Sequence, residues 1–177
     1  MFRRFSLILA FLVGAQGLVP PARAQPSDTA VKAAFLPRFA RYVTWPPAAA
    51  PGGTEPFVLC VIGEDRFGRL LDNAANSQSI AGKPVSVRRM RNASEAAGCH
   101  VAFVQGTRAQ SAGQILTALE RRPILTVTDA GNGSPRGVVH FAVINGRVRF
   151  FIDQGAAQRR GLTVSSRLLA LAVGVKQ

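Results

Sequence analysis

The sequence is poor in the residues that most catalytic and metal-binding sites need. Its 177 residues include two cysteines, two histidines, one tryptophan and one tyrosine. Two cysteines cannot build the dense disulfide framework of a small secreted scaffold, so a hydrophobic core has to hold the fold. Adjacent Cys99 and His100 offer two metal ligands, but no Cys-x-x-Cys or His-x-x-x-His spacing completes a tetrahedral zinc set. Nucleophile-elbow, dinucleotide and phosphate-loop glycine signatures are all missing, which removes the usual marks of serine hydrolases, dehydrogenases and nucleotide triphosphatases. No later stretch reaches the roughly 18 uninterrupted apolar residues of a membrane span. Acidic residues are few, 9 against 22 Lys+Arg, for a net charge of +13.

What is present describes a folded protein. Apolar residues make up 47% and charged residues 18%, too apolar for a disordered chain, and the 17 glycines and 11 prolines follow no collagen-like period. The length favours one domain. Residues 1–24 read as a secretory signal peptide: Arg3 and Arg4, an apolar run from Phe5 to Val13, then Ala22-Arg23-Ala24 with small residues at −3 and −1. An uncleaved anchor fits less well because the run stops at Gly14, short of a hydrocarbon core of roughly 30 Å. The mature domain is then residues 25–177, expected to be exported. Removing Arg3, Arg4 and Arg23 lowers the net charge to +10. The arginines are scattered in ones and twos, so they read as solvated faces rather than a nucleic-acid tail.

Along the mature chain, Ser27 or Asp28 caps a first helix with Val31, Ala34, Phe35, Phe39 and Val43 on one stripe, ending at Trp45-Pro46-Pro47. Pro37 inside it predicts a kink or a late start. Phe57–Gly63, Cys99–Val104 and Ile124–Thr128 are apolar runs, broken only by His100, Thr126 and Thr128, as expected of strands buried on both faces. Lys83–Met90 alternates and reads as a more exposed strand. Short helices follow Glu64-Asp65, through Phe67, Leu70 and Leu71, and span Ala109–Arg121. Strand and helix alternate, which predicts an α/β single domain with a largely parallel sheet and helices on both faces. Val138–Ile144 and Arg147–Ile152 flank Asn145-Gly146, so an antiparallel hairpin should finish the sheet. A last helix is expected from Thr163 or Ser165 through Ala172.

The chemistry visible in this pattern is thin. His100 and His140 lie in apolar strands and read as structural. Asp129 and Asp153 follow strand ends and read as loop caps, leaving a hydrolase reading without paired groups. No cofactor or metal is expected. In an oxidising compartment a leftover cysteine pair favours a Cys60–Cys99 disulfide over two buried thiols, closing a loop of about 40 residues for about 4 kcal/mol. Arg38, Arg41, Tyr42 and Trp45 form one aromatic and cationic cluster, suited to a partner or an anionic ligand, or else to closing the core.

The order of these pieces resembles a known family. Ala33-Ala34-Phe35-Leu36 through Phe39-Ala40 to Val43-Thr44-Trp45-Pro46, then Leu59–Gly63, Cys99–Val104, Leu125–Asp129, Val148-Arg149-Phe150 with Ile152-Asp153, and Gly161–Leu169 together resemble the YfiR/HmsC-like periplasmic proteins. The resemblance implies a regulator without catalysis that contacts the periplasmic sensor region of an inner-membrane diguanylate cyclase. Such a protein lowers cyclic di-GMP and restrains biofilm and exopolysaccharide output. It also implies a homodimer, and it matches Cys60 and Cys99 to a family cysteine pair. This chain departs from the pattern in lacking a second pair, in Pro37, and in Asp153 where asparagine is expected. A periplasmic small-ligand binding module, with its ligand at Arg41 and Trp45, is the alternative.

Overall fold

A computed structural model describes residues 25–129 and 135–177. The proposed signal peptide lies outside the described residues. The elements in chain order are α1 (Asp28–Phe39), β1 (Val43–Thr44), β2 (Phe57–Ile62), α2 (Arg69–Asn76), β3 (Ser79–Ile80), β4 (Lys83–Met90), β5 (Val101–Val104), α3 (Ala112–Ala118), β6 (Leu125–Asp129), β7 (Val139–Ile144), β8 (Arg147–Asp153), α4 (Gln154–Arg159), β9 (Thr163–Val164), α5 (Ser166–Leu169) and β10 (Gly174–Lys176). Eight strands form one sheet in the order β10-β8-β7-β6-β5-β2-β4-β3. Strands β4, β2, β5, β6 and β7 run parallel, and β10 is parallel to β8. The β7–β8 and β3–β4 pairs are antiparallel. A separate small sheet pairs β1 with β9.

Strand periodicity sends alternate residues to opposite faces, and each face has its own core. Leu59, Val61, Val101, Phe103, Leu125, Val127, Val139 and Phe141 point to one side, against Ala33, Leu36 and Phe39 of α1 and Leu71 of α2. Aromatic rings dominate there: Phe39 lies 5.1 Å from Phe150 and 5.5 Å from Phe141, and Phe67 lies 4.7 Å from Phe103. Cys60, Ile62, Ala102 and Val104 point to the other side, against Ile115 and Leu116 of α3 and the small side chains Ala93 and Ala96. The α/β class and the helices on both faces are as the sequence pattern predicts.

Several element ends differ from expectation. Helix α1 begins at Asp28, with Ser27 Oγ accepting the Ala30 amide, so Pro37 sits in its last turn and delays nothing. The helix stops at Phe39, well before Trp45. A short 3-10 turn at Ala40–Tyr42 leads into Val43 and Thr44, whose β-branched side chains favour the extended pairing with β9. The stripe buried most deeply is Ala33, Leu36, Pro37, Phe39 and Ala40, while Val31, Ala34 and Phe35 are half-buried. Helix α3 starts at Ala112 rather than Ala109, because Ser111 and Gln114 form a reciprocal capping box.

The chain end departs most. The expected helix is a four-residue stub capped by Ser165, and Val173 then joins the sheet by donating its amide to the Phe150 carbonyl. Strand β10 follows, outside β8, so the hairpin does not finish the sheet. Its Asn145-Gly146 turn has positive φ at both residues, +52° and +68°, the geometry that suits the twist of a two-residue hairpin. Gly63 ends β2 at φ +103°, where a Cβ would overlap the Gln105 carbonyl oxygen beyond β5, so only glycine fits.

Candidate functional site

Cys60 and Cys99 are bonded, with Cα atoms 5.9 Å apart. The bond follows from the sheet: β2 and β5 are neighbours in a register that sets Cys60 beside Ala102, and Cys99 lies just before β5 on the same face. Gly98, at φ +74°, makes the turn that delivers Cys99. Cys60 is fully buried and Cys99 nearly so. The bridge joins the middle of β2 to the entry of β5 across 39 residues.

Next to the bridge, a cleft of about 720 Å³ opens at the amino-terminal ends of β2, β5 and β6. Glu55, Arg88, His100 and Arg122 supply its polar wall, and Val58 and Ile124 are among its apolar lining. His100 is only 8% exposed. Its Nδ1 accepts the Val58 amide at 3.0 Å, which puts the ring proton on Nε2, and its ring stacks on Phe57 at 4.6 Å. Burial holds its pKa below the usual histidine value. The sequence reading missed Arg88, Arg122 and Glu55 as a group. Alternation along β4 carried one usable signal, since it sets Arg88 on the face of Cys60 and the next residue, Arg89, on the other.

Arg89 shows what a satisfied arginine looks like here. Its Nε donates to Asp65 at 2.7 Å, and its two terminal nitrogens donate to Asp72 at 2.9 and 3.0 Å. Burial alone would raise the Asp65 pKa, but hydrogen bonds from Arg89 and from the Phe67 and Gly68 amides outweigh it and hold the carboxyl below its ordinary value.

The cluster Arg38, Arg41, Tyr42 and Trp45 is split by depth. Arg38 and Arg41 are exposed, and among the described residues neither forms an ion pair. Tyr42 is half-buried against the core, and its carbonyl accepts the Ser165 amide. Trp45 is 8% exposed and packs edge-on to Phe57 at 5.1 Å. Among the described residues, Trp45 Nε1 and Arg160 Nε are buried without a hydrogen-bond partner, one just after β1 and the other before β9.

The remaining titratable residues are engaged elsewhere. Asp129, expected as a cap, instead receives both its hydrogen bonds from Lys32 Nζ at 2.8 and 2.9 Å, tying α1 to the end of β6. Asp153 does cap α4, its Oδ1 accepting the Ala156 amide. His140 Nδ1 lies 2.8 Å from Thr128 Oγ1, which accepts the Gly137 amide. Burial, assisted by the charge of Arg136, lowers its pKa. His140, Asp153, Arg136 and Lys176 share a second cavity, of about 480 Å³, where Arg136 sits over the Phe151 ring at 5.2 Å. Among the described residues no group of three or more His, Cys, Asp or Glu is placed to hold a metal, and no helix is long and apolar enough to cross a membrane.

The YfiR/HmsC-like family model matches residues 29–173, from the first turn of α1 to the residue before β10, so it takes in both strands of the small sheet, the disulfide and the cleft. The chain belongs to the YfiR/HmsC-like family. No curated protein matches it. The family is one of periplasmic regulators rather than enzymes. In this YfiR/HmsC-like chain the groups with acid–base capacity are spread over separate structural duties: Asp129 in an ion pair, Asp153 in a cap, His140 on a threonine and His100 on a backbone amide.

Proposed function

We propose that this chain is a periplasmic negative regulator. It binds the periplasmic sensor region of an inner-membrane diguanylate cyclase and holds that enzyme in its repressed state, lowering cyclic di-GMP and biofilm and exopolysaccharide output. The family match over residues 29–173 is the observation that carries the reading. Repression requires tighter binding to the inactive conformation than to the active one, because equal affinity for both shifts nothing. The exposed Arg38 and Arg41, with Tyr42 beside them and Trp45 beneath, support a contact surface at the end of α1, where guanidinium groups meet carboxylates of the partner.

Deleting the gene raises cyclic di-GMP in a strain that carries the cyclase to which the exported chain crosslinks. Unchanged levels in that strain overturn the reading. Replacing Arg38→Glu and Arg41→Glu together abolishes crosslinking while leaving thermal unfolding unchanged, since both side chains are exposed.

A further inference from the structure

The cleft beside the disulfide contains cationic groups that no acid among the described residues pairs with. Arg88 Nη1 donates to the Ala97 carbonyl at 2.9 Å, and Arg122 Nη1 reaches the Ala93 carbonyl at 3.4 Å. These contacts anchor each guanidinium to the segment before Cys99 while using only part of its five donors. Among the described residues neither arginine has a carboxylate within ion-pair distance, whereas Arg89, one residue along the same strand, is held by two. The one acid in the cleft wall is Glu55, exposed and itself outside any ion pair among the described residues. The polar wall therefore has two positive charges against one negative. His100 adds a neutral Nε2–H donor, for which the described residues supply no acceptor. The rest of the lining is mainly apolar, with Pro56, Val58, Pro123 and Ile124 beside Cys99. A volume of about 720 Å³ is in the size range of small-molecule sites.

We propose that this cleft binds a small organic oxyanion, a carboxylate or a phosphate monoester, whose charged end is held by Arg88 and Arg122 and whose apolar body lies along Val58, Pro123 and Ile124. The forked guanidinium group suits both kinds of oxyanion. His100 Nε2–H supplies a further donor, and Glu55 disfavours ligands that carry a second acidic group on the apolar body. The site stands independently of the cyclase reading, because ligand binding by the purified chain and cyclic di-GMP in cells are separate measurements.

Titration calorimetry and amide NMR on the mature chain test the proposal with three probes: benzoate, phenyl phosphate and inorganic phosphate. At least one organic probe binds, with amide shifts centred on Ala93–His100 and Arg122–Ile124. Benzoate alone identifies a carboxylate site, and phenyl phosphate alone a phosphate-ester site. Arg88→Gln and Arg122→Gln each weaken binding about tenfold, the usual worth of a charge-assisted hydrogen bond. Arg121→Gln, outside the cleft, leaves binding unchanged. Arg88 is exposed, so Arg88→Gln keeps the fold, as an unaltered melting temperature without probe verifies. The proposal is overturned if no organic probe binds at millimolar concentration, if inorganic phosphate alone binds, if the shifts centre elsewhere, or if Arg88→Gln binds as tightly as the parent.

Discussion

The two faces of the sheet are built by different means. One is filled by large rings, with Phe39 against both Phe141 and Phe150 and Phe103 against Phe67. The other packs smaller side chains, among them Ala93, Ala96 and Ala102, and has the chain's disulfide and an open cleft at its rim. Buried aromatic area stabilises in proportion to surface removed from water, so the first face needs no crosslink. The second has less area to bury, and there a covalent bond limits the freedom of the unfolded chain instead. Space for a ligand appears on the side where packing contributes less.

The contrast is breakable by measurement. Phe39→Ala should cause the largest loss, about 3–5 kcal/mol, because the ring is fully enclosed and its neighbours cannot close the void. Urea unfolding measures it, and a loss of less than about 1 kcal/mol would erase the distinction between the faces. Replacing Cys60→Ala and Cys99→Ala together should cost about 3 kcal/mol, with native-like amide spectra retained. If that double variant fails to fold at all, the aromatic face is not sufficient alone. Asp129→Asn should cost about 2 kcal/mol by weakening the partly buried Lys32 pair, whose side chains are 12% and 15% exposed.

The smallest effect is a pH dependence. Both histidines have pKa values below 6.5 in the fold, so in the range just below 6.5 the unfolded chain binds more protons than the native one. Stability should therefore fall as pH drops from 7.5 through 6.5, and level off once the native histidines also protonate. Denaturant midpoints across that range measure the slope, and His100→Gln with His140→Gln should flatten it.

Much of the sheet was legible because its signals are local. β2 and β5 are uninterrupted apolar runs, β6 interleaves Leu125 and Val127 with buried threonines, β4 alternates, and Asn145-Gly146 allows little except a hairpin. Element ends were harder. Leu168, Leu169, Leu171 and Ala172 have helical spacing, yet Val173 finds a free carbonyl at the edge of β8, and sheet pairing ends the helix. That edge exists only after the hairpin has formed, so nothing within the segment announces it. The Ser111 and Gln114 capping box was local and readable, but α3 was extended past it. The cleft could not be read, because Glu55, Arg88, His100 and Arg122 come from four separate segments that meet only through strand order.

Gly63 helps to explain why the hollow lies where it does. In this sheet the chain passes from β2 to β4 on one side and then returns to β5 on the other, and open α/β folds usually admit ligands at the carboxyl ends of such a diverging pair. Here the bare glycine lets the Gln105 backbone approach the end of β2 closely, and the Gln105 amide donates to the Ile62 carbonyl. A side chain at position 63 would act as a wedge, prising the two strands apart about the sulfur bridge as a lever turns on its pivot. The cleft proposed for the oxyanion opens instead at the opposite, amino-terminal ends of these strands.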